Sequence, residues 1–210
     1  MADERALEQQ EEAAFAAAAW GVLARLLTEP PGEEVLAALA SLGDALGVEG
    51  RVDPMDVSRD DSDALLLSPG GANLCPWESV WRPAPDRPVA VPSRKQRGHL
   101  LGPVAIDAGR RYGEAGVTLA ATTLLPDHLG VEVAFLAALA GREADAAARQ
   151  ASGEADAARA TARGFLHEHV GAWLPLFAGE LQGRAITDTW RLAGAVLARH
   201  LDDERQRLGA

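Results

Sequence analysis

Cysteine, tyrosine and methionine are nearly missing from this 210-residue chain: it has one, one and two of them. A lone thiol, Cys75, cannot close an internal disulfide, so no cystine framework holds the fold; the usage is compatible with a reducing compartment. No apolar run approaches the roughly 18–20 uninterrupted residues that a bilayer-spanning helix needs. Positive charge is also scarce. Lys and Arg number 20 against 31 Asp and Glu, giving a formal charge of −11. That balance excludes a general nucleic-acid binder, which needs a basic surface, and it repels anionic membranes. The segment Ala2-Asp3-Glu4-Arg5 offers no basic stretch ahead of an apolar run, so no secretory signal is expected there.

Motifs of several enzyme classes are lacking as well. Ser68-Pro69-Gly70-Gly71 is glycine-rich, but no Gly-Lys-Ser/Thr follows, so it is no phosphate loop. Ser79 is not in a Gly-x-Ser-x-Gly elbow, and Cys75 has no histidine nearby in sequence. The fraction of apolar residues, 48%, is ample for a core, and 24% charged residues provide a polar surface. An acidic surface also suits a basic peptide, although genome composition or a salty habitat is the stronger account of the acidity.

Helical periodicity runs through most of the chain. Leu7, Phe15, Val22, Leu23 and Leu26 predict a helix over residues 3–28, stopped by Pro30-Pro31-Gly32. Val35, Leu36, Leu39, Leu42 and Leu46 form one stripe over 33–47, closed by Gly47 and Gly50. A short helix is expected at about 59–67. Six prolines rule out a long regular element over 68–102, which carries the basic island Arg82, Arg87, Arg94, Lys95 and Arg97. Helix resumes at 103–115 with Gly116 as its cap.

Pro126 suits the first turn of a further helix running to Ala140 and stopped by Gly141, with Asp127 complementing its dipole. A long helix is expected over 142–173, broken by Leu174-Pro175, and a last one from Thr187-Asp188 through Leu201. Arg110-Arg111 is read as a solvated helix face. Val89-Ala90-Val91 is the one weak alternating run. The expected fold is all-α, a single helical bundle over 1–210 with a proline-rich loop at about 68–102 and a hinge near 122–128.

Two segments carry chemistry. Trp77 and Trp81, four apart beside Pro76 and Glu78, would share a face on a helical turn and suit a peptide-binding surface; pinning the loop to the core is the alternative. Asp127, His128 and Glu132 can form a polar cluster that caps a helix, reads a cationic partner, acts as acid and base, or binds metal. No second ligand pair has metal-binding spacing. His167-Glu168-His169 adds none, because i,i+2 residues on a helix point to different sides.

These segments, in their order, resemble the TorD-type chaperones that mature molybdenum-containing redox enzymes, a family including dimethyl sulfoxide reductase maturation and nitrate reductase assembly proteins. The resembling stretches are Leu66-Leu67-Ser68-Pro69-Gly70, Pro76-Trp77-Glu78-Ser79-Val80-Trp81, and Pro126-Asp127-His128-Leu129 with Glu132 and Phe135. A fourth runs from Phe165-Leu166 through His169, Trp173, Pro175 and Phe177. Leu67-Ser68, where the family pattern has an aromatic and Gly, and the arginine-rich 82–97 loop depart from it. The resemblance implies a non-enzyme without cofactor or metal. It implies a cytoplasmic chaperone binding the N-terminal, twin-arginine signal of a molybdopterin oxidoreductase catalytic subunit until cofactor insertion, before export. Trp77, Glu78, Trp81, Asp127, His128 and Glu132 would be the peptide-binding residues. Three other readings stand beside it. One is an assembly chaperone for a non-exported nitrate reductase-type subunit, and another is a helical adaptor. The third is a small metal-assisted hydrolase using Asp127, His128 and Glu132.

Overall fold

A computed structural model describes residues 2–29, 31–52, 62–67, 73–82, 102–118 and 123–210. Among these the fold is helical, with no strand beyond one isolated bridge between Trp77 and His128. The expected loop prolines 69, 83, 85, 88 and 92, the run 89–91, residue 122 of the hinge, and the basic residues 87–97 lie outside the described residues.

Helix α1 spans Ala2–Thr28 and α2 spans Glu33–Ala45. The α2 stripe of Val35, Leu36, Leu39 and Leu42 is buried, and Gly47 at φ +65° ends it. There the Gly47 N–H donates to the Asp44 carbonyl and the Val48 N–H to the Gly43 carbonyl, which pairs two otherwise orphaned end groups. The helix expected at 59–67 is, in its described part, a π-helical turn over Asp63–Leu67. A single turn, α3, covers Glu78–Trp81, and α4 covers Pro103–Glu114, with Gly116 at φ +60° closing it as Gly47 closes α2.

Helix α5 spans Leu129–Ala148 and does not stop at Gly141. Its end is at Arg149–Gln150, where Gln150 takes φ +57° and Ala151 N–H donates to Ala146 carbonyl. The left-handed cap position is thus filled by glutamine, which carries no breaker signal. Gly141 has open space around it and is tolerated inside the helix at a cost of about 1 kcal/mol relative to alanine.

The long helix expected over 142–173 is therefore divided. Helix α6 is Ser152–Phe165; a π-helical turn follows at Leu166–Val170, and α7 runs Gly171–Arg184. Pro175 lies inside α7 and does not break it. A proline at this position removes the N–H that the Gly171 carbonyl would accept. The Arg205 guanidinium fills that place, donating to the Gly171 carbonyl at 2.7 Å. Gly171 itself sits where the π turn passes into α7, and a Cβ there would lie 2.6 Å from the Leu166 carbonyl oxygen. Helix α8, Asp188–Leu208, begins where expected but extends seven residues past Leu201 to a left-handed Gly209.

The most extensive helix pairing is α1 along α5, followed by α5 with α6 and α7 with α8. Gly130 permits the first turn of α5 to approach the end of α1, since a Cβ there would meet the Thr28 methyl at 2.4 Å. The core is centred on Trp20, Trp81, Trp173, Phe135, Phe165 and Phe177, all less than 2% exposed. At the far end from the segments of interest, buried Glu143 and Glu204 accept from Arg207 at 2.8 and 2.6 Å. His200 is buried there against Trp20, with neither ring nitrogen hydrogen-bonded.

Candidate functional site

The two motif segments meet. Trp77 and His128 form an antiparallel bridge in which the Glu78 N–H donates to the Asp127 carbonyl at 2.9 Å and the Leu129 N–H to the Pro76 carbonyl at 2.8 Å. The turn ahead of it is tied down by Tyr112, whose hydroxyl donates to the Pro126 carbonyl at 2.7 Å, and by His128 N–H donating to the Leu125 carbonyl at 3.0 Å.

Each polar side chain at this junction has a defined structural task. Asp127 does not serve its own helix. Its carboxylate accepts from the Ser79 N–H at 3.0 Å and so caps α3, 48 positions earlier in sequence. A four-residue helix has no cap of its own at Trp77, which makes the distant carboxylate its anchor. His128 caps α5: Nδ1 accepts from the Gly130 N–H at 3.1 Å, which fixes the proton on Nε2. Burial holds this imidazole neutral, with its pKa down at about 4. The His128–Glu132 hydrogen bond that their spacing suggests is not made; Glu132 Oε2 instead accepts from Trp173 Nε1 at 3.2 Å.

Trp77 and Trp81 do not share a face, because Trp77 is in extended conformation before α3 while Trp81 ends it. Trp81 is 1% exposed, packs on Trp173 and Phe177, and donates from Nε1 to the Cys75 carbonyl at 3.1 Å. Glu78, Asp127, His128 and Glu132 are likewise buried, and Trp77, set edge-on to His128, is partly exposed. Of the six residues singled out in the sequence, Trp77 is therefore the one that presents a side chain toward solvent.

Glu78 organises the chemistry. Its Oε1 accepts from Arg82 at 2.8 Å, and its Oε2 lies 2.8 Å from His169 Nδ1. The other nitrogen of His169, Nε2, lies 3.1 Å from Asp107 Oδ2. A Glu78–His169–Asp107 relay thus runs from the buried interior to the surface of α4. The Asp107 carboxyl is held down at about 2, first by hydrogen bonding from Arg110 and further by His169 and Arg111, against the opposing effect of burial. Arg111 also pairs with Glu168, so Arg110-Arg111 is a partly engaged face. Burial, then the charge and hydrogen bond of Glu78, then the charge of Asp127 raise the Glu132 carboxyl well above the usual range. Burial and the neighbouring carboxylates thus favour the protonated form of Glu132.

In front of this cluster lies an open cleft of about 580 Å³, walled by Arg82, Val104, Asp107, His167 and Glu168, with Glu78 and His169 at its inner side. Glu78, Glu132 and His169 each bring one ligating atom within 4.8 Å of the others. His167 and His169 point to different sides, as their i,i+2 spacing implies: the first is exposed and the second is buried. Spacing alone does not show that His169 lies in the apolar stripe Phe165, Leu166, Val170 and Trp173, which carries it to Glu78, 91 positions away. A histidine within such a stripe is the signal in the sequence that pointed there. The hydrolase arrangement does not form, since Asp127, His128 and Glu132 each serve a separate backbone or tryptophan partner.

Residues 29–179 match the family described as nitrate reductase delta subunit. The chain is also similar to the selenate reductase assembly chaperone protein of Thauera selenatis, with 39% identity over 84 residues. That match covers 40% of this chain and 42% of the relative, so it spans less than half of either.

Proposed function

The chain belongs to the nitrate reductase delta subunit family, of redox-enzyme maturation chaperones, and from that premise we propose that it assembles the catalytic subunit of a molybdenum-dependent reductase. It acts by binding and has no catalytic step of its own. The observation that carries this reading is the convergence inside the family match of three separate segments, 73–82, 125–132 and 165–177, on one buried polar centre behind an open cleft. A fold that serves only as a helical adaptor has no need to bury three carboxylates beneath a cleft, because such burial is costly.

The client segment is an N-terminal signal of the twin-arginine kind, held in the cytoplasm while the cofactor is inserted. Asp107 and Glu168 at the rim offer carboxylates to client guanidinium groups, in competition with Arg110 and Arg111. Trp77 offers a partly exposed aromatic surface to the signal's apolar stretch. The remaining five residues, Glu78, Trp81, Asp127, His128 and Glu132, shape that surface from beneath. No helix among the described residues is long and apolar enough to cross a membrane, which is compatible with this setting. The family's description names nitrate reductase, which supports a second reading with a nitrate reductase-type subunit as client; in that reading the client is not exported.

The test is co-expression of a candidate reductase catalytic subunit with and without this chain, measuring molybdenum in the purified reductase. Cofactor content should fall at least several-fold without the chain. Equal content would refute the assembly role. Deleting the client's leader then separates the two readings: loss of binding supports signal recognition, and retained binding supports the non-exported client.

A further inference from the structure

The cluster at the inner side of the cleft contains more ligating capacity than the hydrogen bonds around it use. Glu78 and Glu132 are 0% exposed and His169 is 3% exposed. Glu132 Oε2 is taken by the Trp173 indole, but Oε1 is fully buried and has no hydrogen-bond donor directed at it. A buried carboxyl oxygen without a donor needs either a proton or a cation.

We propose that Glu78, Glu132 and His169 form a binding site for a divalent transition-metal cation of the zinc class, reached through the cleft. The three ligating atoms already lie within 4.8 Å of one another. Around zinc, oxygen and imidazole ligands sit at about 2.0–2.2 Å, which places neighbouring ligand atoms roughly 3–3.5 Å apart. The His169 Nδ1 to Glu78 Oε2 distance of 2.8 Å needs only a small opening, and the Glu132 oxygen, within 4.8 Å of both, closes in on binding.

The contacts behind the ligands hold each of them in place for a cation. A metal-bound histidine donates its other ring N–H to a carboxylate, which fixes both tautomer and orientation. His169 does this: with Nδ1 toward the site, Nε2 faces Asp107 at 3.1 Å. Glu78 is held by Arg82 on Oε1, which leaves Oε2 directed at the site. Glu132 is held by Trp173 on Oε2, which leaves Oε1. Each of the three ligands therefore has one partner outside the site that fixes it and one atom turned to the others: Glu78 Oε2 and His169 Nδ1 face each other at 2.8 Å, and Glu132 Oε1 has no donor. A mixed carboxylate–imidazole set suits a first-row divalent cation better than calcium or magnesium, which take oxygen ligands in greater number. Beyond the ligands the cleft leaves room for water or for a group from the client. Because the ligands come from α3, α5 and the π turn, a bound cation would join three elements distant in sequence and raise stability in proportion to its occupancy.

This inference does not depend on the chaperone reading, and it is tested without any client. The full chain, stripped with a chelator, is titrated with zinc chloride by calorimetry at neutral pH, with thermal unfolding followed in parallel. One equivalent should bind and raise the melting temperature. Glu132→Gln, which keeps the shape and the Trp173 partner, should weaken binding at least 100-fold. Asp107→Asn, on a partly exposed residue outside the ligand set, should weaken it about 10–100-fold, the range for a residue that orients a ligand. Cys75→Ser should leave it unchanged. No saturable binding to the folded wild type overturns the proposal. So would binding that Cys75→Ser abolishes, or binding that Asp107→Asn leaves intact.

Discussion

Replacing Trp81 by alanine is the sharpest test of how the aromatic pair is used. The side chain is 1% exposed, packed between Trp173 at 6.0 Å and Phe177 at 5.7 Å between ring centroids. Truncating a buried tryptophan costs about 3–5 kcal/mol through lost transfer energy and an unfilled cavity. The Cys75 carbonyl also loses its Nε1–H donor, which adds on the order of 1 kcal/mol if water does not replace it. A loss of about 4 kcal/mol is a large share of the roughly 5–15 kcal/mol that holds a domain folded. It corresponds to a fall of about 8–16 °C in melting temperature for a chain of this size. Trp77→Ala, at a partly exposed position, should cost about 1–2 kcal/mol in stability and should remove a contact to the client. The assay is paired: urea unfolding of both variants, and titration of the folded fraction with the client's N-terminal peptide. Trp81→Ala should collapse stability while the residual folded protein retains affinity within a few-fold; Trp77→Ala should lose roughly 1–3 kcal/mol of binding with the fold intact. A Trp81→Ala variant that loses less than about 1 kcal/mol of stability but loses the peptide would refute the burial argument and return Trp81 to the binding surface.

Asp127→Ala should cost about 1–2 kcal/mol, because the Ser79 N–H is left buried and unpaired, whereas Asp127→Asn should recover part of that through its amide oxygen; equal melting temperatures for the three proteins would show that the cap carries no weight. Gly130→Ala should destabilise by about 1–3 kcal/mol, as the new methyl meets Thr28 where α5 reaches α1, and a neutral or stabilising effect in urea unfolding would contradict that close approach. His200, sunk between α1 and α8 near Glu12, Asp203, Glu204 and Arg207, is depressed to about 4, chiefly by burial, with Asp203 opposing and Arg207 reinforcing the shift. Its folded value lies below the unfolded one, so its contribution is complete above about pH 6.5 and is lost as pH falls from there toward 4. The loss amounts to about 3 kcal/mol. The difference in unfolding free energy between wild type and His200→Leu should shift by that amount between pH 7 and pH 4, and a pH-independent difference would mean the ring is solvated.

Local pattern alone was enough for much of the helical skeleton. The α2 stripe with Gly47, the α4 stop at Gly116 and the α8 start at Thr187-Asp188 are legible because periodicity, left-handed glycines and end preferences act within a few residues. The motif segments around Trp77 and Asp127 were legible in the same way, as departures from helical composition. Where a partner distant in sequence decides the outcome, the local signal fails. Pro175 stays inside α7 because Arg205, 30 positions later, donates to the carbonyl that proline leaves unpaired. Helix α5 ends at Gln150 and not at Gly141, since helix-to-helix packing outweighs the roughly 1 kcal/mol preference of a single glycine. Asp127 caps a turn 48 residues before it, and His169 meets Glu78 across 91 residues. A side chain's periodicity says which way it faces along its own helix. What it meets there depends on the chain's return from elsewhere, and burial of Glu78, Glu132 and His169 in one place is a property of that return alone.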